Sequence, residues 1–405
     1  MTVIALLNAE QEPHIVADTL ITADGKDPNV NQRIWLPAVG AWPSQYGTEA
    51  NPWYIARLGR KTFALPNGSG MLAFAGNCRD AFEFWSELSA KIINAAGYCS
   101  EQRVDEVMVN QALASIGGQH ISLLGVLIDE NGKHRPFVHN ATITVQTKNL
   151  GTCYVAGSGT SIVHELIRKF DDLLPAKRTD DKVYRMGPTE DLAEGIAAQL
   201  MYAEGSADNG HAGTSIDFRC GGFYEWYQVK QKGVLHLQPR LDLHLVEAAD
   251  GRLLATRIYH SDLFEENNAP YLPVPAREYK VVLLNLGLSP TPMEHSTDGW
   301  LLAPRESCGT AIESTFKLYD AHGGTGRAHG PGSSALLTKL YGVPLEVRRL
   351  RLIVSRSSGA IMRSISRRKG EIGVPATISY MNDQLRILLS DEVIDSAKEA
   401  LAKLN

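Results

Sequence analysis

Thr2 is the residue whose type and place carry the most chemistry in this sequence. Removal of the initiator methionine favours a small second residue, so the processed chain is expected to start with this threonine. An unassisted hydroxyl is a poor nucleophile and needs an adjacent base. An N-terminal threonine carries that base on itself, because its free α-amine titrates near ~7.7–8.0, close to working pH. Ordinary proteins also start Met-Thr, so the weight of this reading rests on what accompanies Thr2.

Three further residues fit around such a nucleophile. Asp18 ends the run His14-Ile15-Val16-Ala17-Asp18, and residues 3–8 and 14–20 read as an N-terminal hairpin across Ala9-Glu10-Gln11-Glu12-Pro13. That pairing returns the carboxylate to the side of residue 2. Lys61 opens the run Lys61-Thr62-Phe63-Ala64-Leu65. A lysine beside the nucleophile lowers its pKa and stabilises negative charge, with Asp18 holding the lysine. Gly76 closes Gly70-Met71-Leu72-Ala73-Phe74-Ala75, where a missing Cβ lets a backbone N–H approach an oxyanion. Taken singly, each has a structural reading: an exposed aspartate, a solvated lysine, a turn glycine. Lys26 competes for the lysine role but lacks the strand pattern that follows Lys61, which is favoured.

The elements that must position these groups follow from periodicity. Strands are expected at 62–66 and 70–75 around the turn Pro66-Asn67-Gly68-Ser69-Gly70, and helices over 79–95 and 104–115. Strands follow at 120–128, 136–146 and 152–156, helices at 160–173 and 189–204, and strands near 214–220 and 223–230. That order permits two sheets face to face, each with helices outside it. Residues 24–59, rich in tryptophan, tyrosine and proline, show neither periodicity and read as a long structureless insertion, either an aromatic-pinned surface loop or a substrate wall.

In this order the pieces resemble the β-type subunits of the proteasome family, including the bacterial HslV peptidase, over residues 2–230. The matching stretches are Thr2-Val3-Ile4-Ala5, Val16-Ala17-Asp18-Thr19, Lys61–Leu65 and Leu72–Gly76 followed by the helix at Asp80-Ala81-Phe82. Ala156-Gly157-Ser158-Gly159-Thr160-Ser161, opening a helix, matches as well. The resemblance implies an N-terminal-nucleophile (Ntn) hydrolase: an α+β fold built as a four-layer αββα sandwich over residues 1–240, carrying the 24–59 insertion. It implies Thr2 as nucleophile and base, tuned by Asp18 and Lys61, with Gly76 as oxyanion donor and Ser158 as a supporting hydrogen-bond partner. The family's late Asp-x-x-Ser pair falls near Asp208-Asn209-Gly210-His211; Asp208 fits, and His211 stands where serine is usual. The implied activity is a threonine peptidase cleaving peptide bonds of peptides or proteins, as a ring or stacked-ring homo-oligomer, with any ATPase unfoldase a separate chain. The alternatives are an Ntn amidase acting on a small amide and a catalytically silent scaffold.

Composition sets the outer limits. The chain has 405 residues, 40 Lys+Arg against 45 Asp+Glu, and a net charge of −5, which excludes a globally basic nucleic-acid binder. No run approaches the ~18 apolar residues of a membrane span, and the short apolar start, followed at once by Glu10 and Glu12, does not read as a signal peptide. Five scattered cysteines without a C-x-x-C pair read as reduced thiols in a cytoplasm. No histidine spacing suits a catalytic metal, no glycine motif suits a phosphate, and no cofactor is expected.

Residues 241–405 have no counterpart in the resemblance and read as a C-terminal α/β extension. Strands are expected near 279–286, 346–355 and 384–389, with a glycine-rich loop at 321–334 and a last helix from Ser390. Between Arg348 and Lys369 lie eight basic residues and no acidic one. They read as a strand and a helix with solvated basic faces, in preference to a nucleic-acid surface.

Overall fold

A computed structural model describes residues 2–404 apart from 30–32, 37–39, 98–102, 178–187, 206–213, 223, 231–232, 237–240, 248–252, 268–276, 286–299, 303–310, 318–323, 330–337, 339–340, 357–358, 368–370 and 383. The first strand, β1 (Val3–Leu7), reads VIALL and is buried throughout. A strand that is apolar at every position must be covered on both faces. Val3, Ala5 and Leu7 accordingly enter one core, and Ile4 and Leu6 another.

After β1 come β2 (His14–Asp18), β3 (Leu20–Asp24), β4 (Arg33–Leu36), β5 (Gly40–Pro43), β6 (Gln45–Gly47), β7 (Pro52–Leu58), β8 (Thr62–Leu65) and β9 (Gly70–Gly76). Helices α1 (Cys78–Ala96) and α2 (Glu106–Ile116) follow, then β10 (Ile121–Ile128), β11 (His134–His139), β12 (Ile143–Gln146) and β13 (Thr152–Gly157). Next are α3 (Thr160–Lys177), α4 (Pro188–Gly205) and α5 (Thr214–Asp217), then β14 (Tyr224–Lys230) and β15 (Gly233–His236).

Two antiparallel sheets organise this half. One has the order β12-β13-β1-β2-β14-β15, the other β11-β10-β9-β8. Ile4, Leu6, Ile15 and Ala17 of the first meet Met71, Ala73, Leu124 and Val126 of the second in a shared core. The opposite face of the first sheet packs Val3, Ala5, Val155 and Trp226 with Val163 and Ile167 of α3 and Ile196 of α4. The opposite face of the second packs Phe63, Phe74 and Leu123 with Phe84, Trp85 and Leu88 of α1 and Leu113 of α2. Phe63 stacks on Trp85 at 4.7 Å between centroids. The α1 and α2 starts are fixed by side-chain caps, Asn77 accepting from Arg79 N and Asp105 from Met108 N.

The chain departs from its sequence reading in several places. Residues 24–59 are not structureless: β3, β7 and β6 form a three-stranded sheet, and β4 pairs with β5. These strands are short, carry prolines at their ends and include a register shift between Ile21 and Thr22, so clean alternation is lost. Trp53 is buried and stacks on Tyr46 at 4.6 Å, so both belong to the aromatic pinning of this segment. The strand expected at 214–220 is the short helix α5 followed by a turn. The stretch 136–146 divides, at Asn140 with φ 53°, into β11 and β12 of different sheets.

The second half is also α+β. It contains β16 (Leu241–Glu247), β17 (Leu253–Asn267), β18 (Arg277–Asn285), β19 (Trp300–Leu302), β20 (Ala311–Lys317), β21 (Gly324–His329), β22 (Leu345–Val347), β23 (Arg349–Arg356), β24 (Gly359–Ser366), β25 (Ala376–Met381), β26 (Gln384–Leu389) and helix α6 (Asp391–Lys403). A seven-stranded sheet runs β21-β20-β18-β17-β16-β23-β24 and a four-stranded one β19-β26-β25-β22. Strands β16 and β23 pair in parallel. Leu243, Leu352, Ile378, Val393 and Ala397 share its core. The glycine-rich 321–334 stretch contains strand β21, and residues 321–323 and 330–334 lie outside the described residues.

Over its described residues the basic run is two strands, and Arg349, Arg351 and Arg367 make internal contacts. Arg351 is buried between Asp242 at 3.1 Å and Glu194 of α4 at 3.4 Å. Arg349 lies over the Trp226 ring at 4.4 Å, and Arg367 pairs with Glu392. Of the cysteines, Cys78, Cys153 and Cys220 are free thiols; burial pushes Cys153 up to about 11 and keeps it protonated. Cys99 and Cys308 lie outside the described residues. No helix among the described residues is long and apolar enough to cross a membrane.

Burial raises Asp242 from 3.8 to about 7 against the pull of Arg351, with the Glu194 carboxylate adding to the rise. Between about pH 4 and 7 the folded chain therefore binds a proton that the unfolded chain has released. Stability falls through that window and the loss is complete above it. Asp242→Asn lacks this group, so its stability relative to the parent should improve by about 1.4 kcal/mol per pH unit across the window. Denaturant unfolding at several pH values checks this, and a pH-independent difference would refute it.

Candidate active site

The site is built around a buried carboxylate. Asp18, at the end of β2, is fully shielded from solvent and accepts through both oxygens. Its Oδ1 receives Val3 N–H at 2.9 Å, Lys61 Nζ at 2.7 Å and the Thr2 hydroxyl. Its Oδ2 receives Gly221 N–H at 3.0 Å and Leu20 N–H at 3.2 Å. A buried charge is tolerable only when paired and hydrogen-bonded, and this one is both.

Lys61 reaches the carboxylate from the second sheet, immediately before β8, where Phe74 N–H donates to its carbonyl at 2.9 Å. Its ammonium donates to Asp18, to Leu20 O at 2.6 Å and to Thr2 Oγ1. The Thr2 hydroxyl thus lies between an ammonium and a carboxylate. Hairpin register brings it there: Ile4 pairs with Ala17 and Val3 with Gly157, so both ends of β1's neighbours close on residue 2. The Thr2 carbonyl accepts from Gly159 N at 3.3 Å. Gly157, with φ 101°, passes so close that a Cβ there would lie 2.0 Å from Thr2 O. Only glycine fits that approach.

Of the expected residues, Thr2, Asp18, Lys61 and Ser158 come together. Ser158 Oγ donates to Phe218 O and lies 3.4 Å from Thr2 O, a long contact. Gly76 ends β9 opposite Ile121, and no hydrogen bond joins it to the cluster among the described residues. Its φ of 103° and the closeness of His120 O, 2.3 Å from a notional Cβ, account for glycine there on conformational grounds. Lys26 is exposed beyond the end of β3. Asp208 and His211 lie outside the described residues.

The turn 218–222 was not anticipated. It supplies Phe218 O to Ser158 and Gly221 N–H to Asp18, and Gly221 O accepts from Thr19 N and Leu20 N at 3.2 and 3.0 Å. Its only trace in the sequence is the pair Gly221-Gly222, which spacing does not link to a residue two hundred positions earlier. A second buried cluster likewise has no local signature in the sequence. Arg60 Nε donates to Glu225 at 2.6 Å, and Thr62 Oγ1 and Tyr227 OH donate to the same carboxylate at 3.0 and 2.9 Å.

No protein-family model matches the chain, and a comparison with curated proteins finds no match. Among the described residues no group of three or more histidine, cysteine, aspartate or glutamate side chains is arranged to hold a metal ion.

Removing one partner of the Asp18–Lys61 pair leaves an uncompensated buried charge. Asp18→Asn should cost about 3–5 kcal/mol of stability. The double variant Asp18→Asn/Lys61→Met should cost clearly less than the sum of the single changes, because it removes both charges. A double-mutant cycle by denaturant unfolding measures the coupling, and additive costs would contradict it.

Proposed function

We propose that the protein is a threonine peptidase of the N-terminal-nucleophile type, its first 240 residues forming a four-layered αββα sandwich of the proteasome-like kind. The observation that carries this reading is the contact of Thr2 Oγ1 with both Lys61 and Asp18, groups delivered by different sheets. A buried ammonium beside a hydroxyl stabilises the developing alkoxide, and Asp18 holds that ammonium in place.

In the proposed reaction Met1 is first removed, which frees the Thr2 α-amine. The amine takes the hydroxyl proton, through a water, as Oγ1 attacks the scissile carbonyl. The tetrahedral oxyanion is held by the Gly76 N–H, and collapse expels the amine of the leaving peptide, which takes the proton. The resulting ester on Thr2 is hydrolysed by water with the same amine as base. Ser158, fixed by Phe218 O of the 218–222 turn, lies beside the Thr2 carbonyl throughout. Assembly as a ring with the sites facing inward, a cytoplasmic location and the use of a separate unfoldase belong to the same proposal.

A peptide vinyl sulfone tests the reading directly. It should add to Thr2 of the wild type and not to Thr2→Ala, with mass spectrometry locating the adduct. The labelling rate should rise with pH through a midpoint near ~8, where the amine loses its proton. Retention of Met1 in the reactive protein would overturn the mechanism, because the amine would then be an amide. Turnover of small amides with no turnover of peptides would redirect it to an amidase.

A further inference from the structure

Beside the site lysine the fold buries a second ion pair, to which nothing in the proposed reaction gives a role. Arg60 precedes Lys61 and is 2% exposed; Glu225, on β14, is 3% exposed. The carboxylate is fully engaged. Its Oε1 accepts from Arg60 Nε at 2.6 Å and Tyr227 OH at 2.9 Å, and its Oε2 accepts from Thr62 Oγ1 at 3.0 Å. Arg60 also donates from Nη2 to Tyr227 OH and from Nε to Thr62 Oγ1, and lies 5.6 Å from the Tyr227 ring centroid.

Position makes this cluster more than a core ion pair. Residues 60 and 62 flank Lys61, and both are tied to Glu225. Glu225 sits opposite Ala17 and next to Tyr224, which pairs with Asp18 itself. The segment carrying the ammonium is thereby fastened to the strand beside the one carrying its carboxylate partner. Apart from the contacts of Lys61 itself, the two sheets meet here through apolar side chains, which resist separation but have no directional preference. Charged hydrogen bonds fixed on both sides of residue 61 supply that direction.

We infer that Arg60 and Glu225 form an intersheet clamp that positions Lys61 against Thr2 and Asp18. They are positioning residues and touch no reacting atom; the catalytic consequence rests on the peptidase reading, while the geometric one does not. With Glu225→Gln the guanidinium loses the charge of Glu225 and the clamp loosens. Small displacements of a reacting group cost up to ~100-fold in rate. Loss of the Glu225 negative charge also disfavours nearby protonated groups.

The experiment compares wild type, Glu225→Gln and the charge-free double variant Arg60→Met/Glu225→Leu in crystal structures and in vinyl sulfone labelling per folded molecule. In Glu225→Gln, Lys61 Nζ should leave Asp18 Oδ1. The maximal labelling rate should fall at least tenfold with little change in half-saturating probe concentration, and the acidic limb should move to lower pH. The double variant should keep the rate loss while its pH limb returns to the wild-type position. Lost stability alone would lower the folded fraction and leave all three readouts of the folded protein unchanged. Retention of the 2.7 Å Lys61–Asp18 contact in the folded variant would overturn the inference, whether or not Thr2 reacts. Should Glu225→Gln fail to fold, wild-type geometry and rate in the double variant would overturn it equally. A wild type that is never labelled, with Lys61 displaced in the variant, would remove the peptidase reading and leave the clamp standing.

Discussion

The Asp18 carboxylate is the point at which the strands of the first half are obliged to agree. Five donors converge on it, from residues 2, 3, 20, 61 and 221, and they come from both ends of the chain's first 230 residues. A carboxylate with no exposed surface is costly unless every lone-pair direction is used. Satisfying it therefore constrains the β1–β2 hairpin, the entry to β3, the approach to β8 and the turn before β14 at once. Apolar packing brings the two sheets together, and through Lys61 this acid adds a charged contact between them.

Strand β14 shows how the same logic extends outward. Its pleat sends Tyr224 and Trp226 into the core beneath α3 and α4, and Tyr227 and Val229 into the core between the sheets. Each side also carries one charged contact. Glu225 takes Arg60 from the neighbouring sheet, and Trp226 lies under Arg349 from the second half of the chain. Arg351, two residues on and therefore on the same face of β23, reaches Glu194 of α4. The buried positions of this strand cannot offload their polar groups to water, so Glu225 is matched by a charge arriving from a distant segment. The basic run at 348–369 contributes to the same matching, Arg351 meeting Glu194 of the first half and Asp242 of β16.

What the sequence disclosed depended on range. The N-terminal hairpin, the strands around Lys61 and Gly76, both helix pairs and the helix after Ser390 were legible, because each is encoded by local periodicity and end signals. Thr2, Asp18 and Lys61 were legible as a group, since two of them are placed by one hairpin and the third by the strand it opens. The 24–59 sheet was not, because short edge strands with proline ends carry no repeating pattern. The 218–222 turn and the Arg60–Glu225 pair were not, because they act through backbone amides and through contacts more than 160 residues apart. At that separation a glycine pair or a lone glutamate has no local signature.

The proposed mechanism places its nucleophile at a chain terminus, ordinarily the worst place for a group that must be held accurately, because end residues fray. The arrangement here removes that freedom by making β1 an interior strand. It is hydrogen-bonded to β13 on one side and β2 on the other, and apolar on both faces. Residue 2 is then enclosed by the close passage of Gly157, by Gly159 N–H on its carbonyl and by Asp18 on Val3 N–H. Much of the conformational entropy that a free terminus would lose on ordering is lost in folding the sheet. A hydroxyl so fixed needs little further ordering to meet a substrate carbonyl, which is the condition under which proximity contributes most to rate. The burial of residues 2–7 and the chemistry proposed for residue 2 are thus one requirement: the proposed nucleophile is as rigid as the strand that begins behind it.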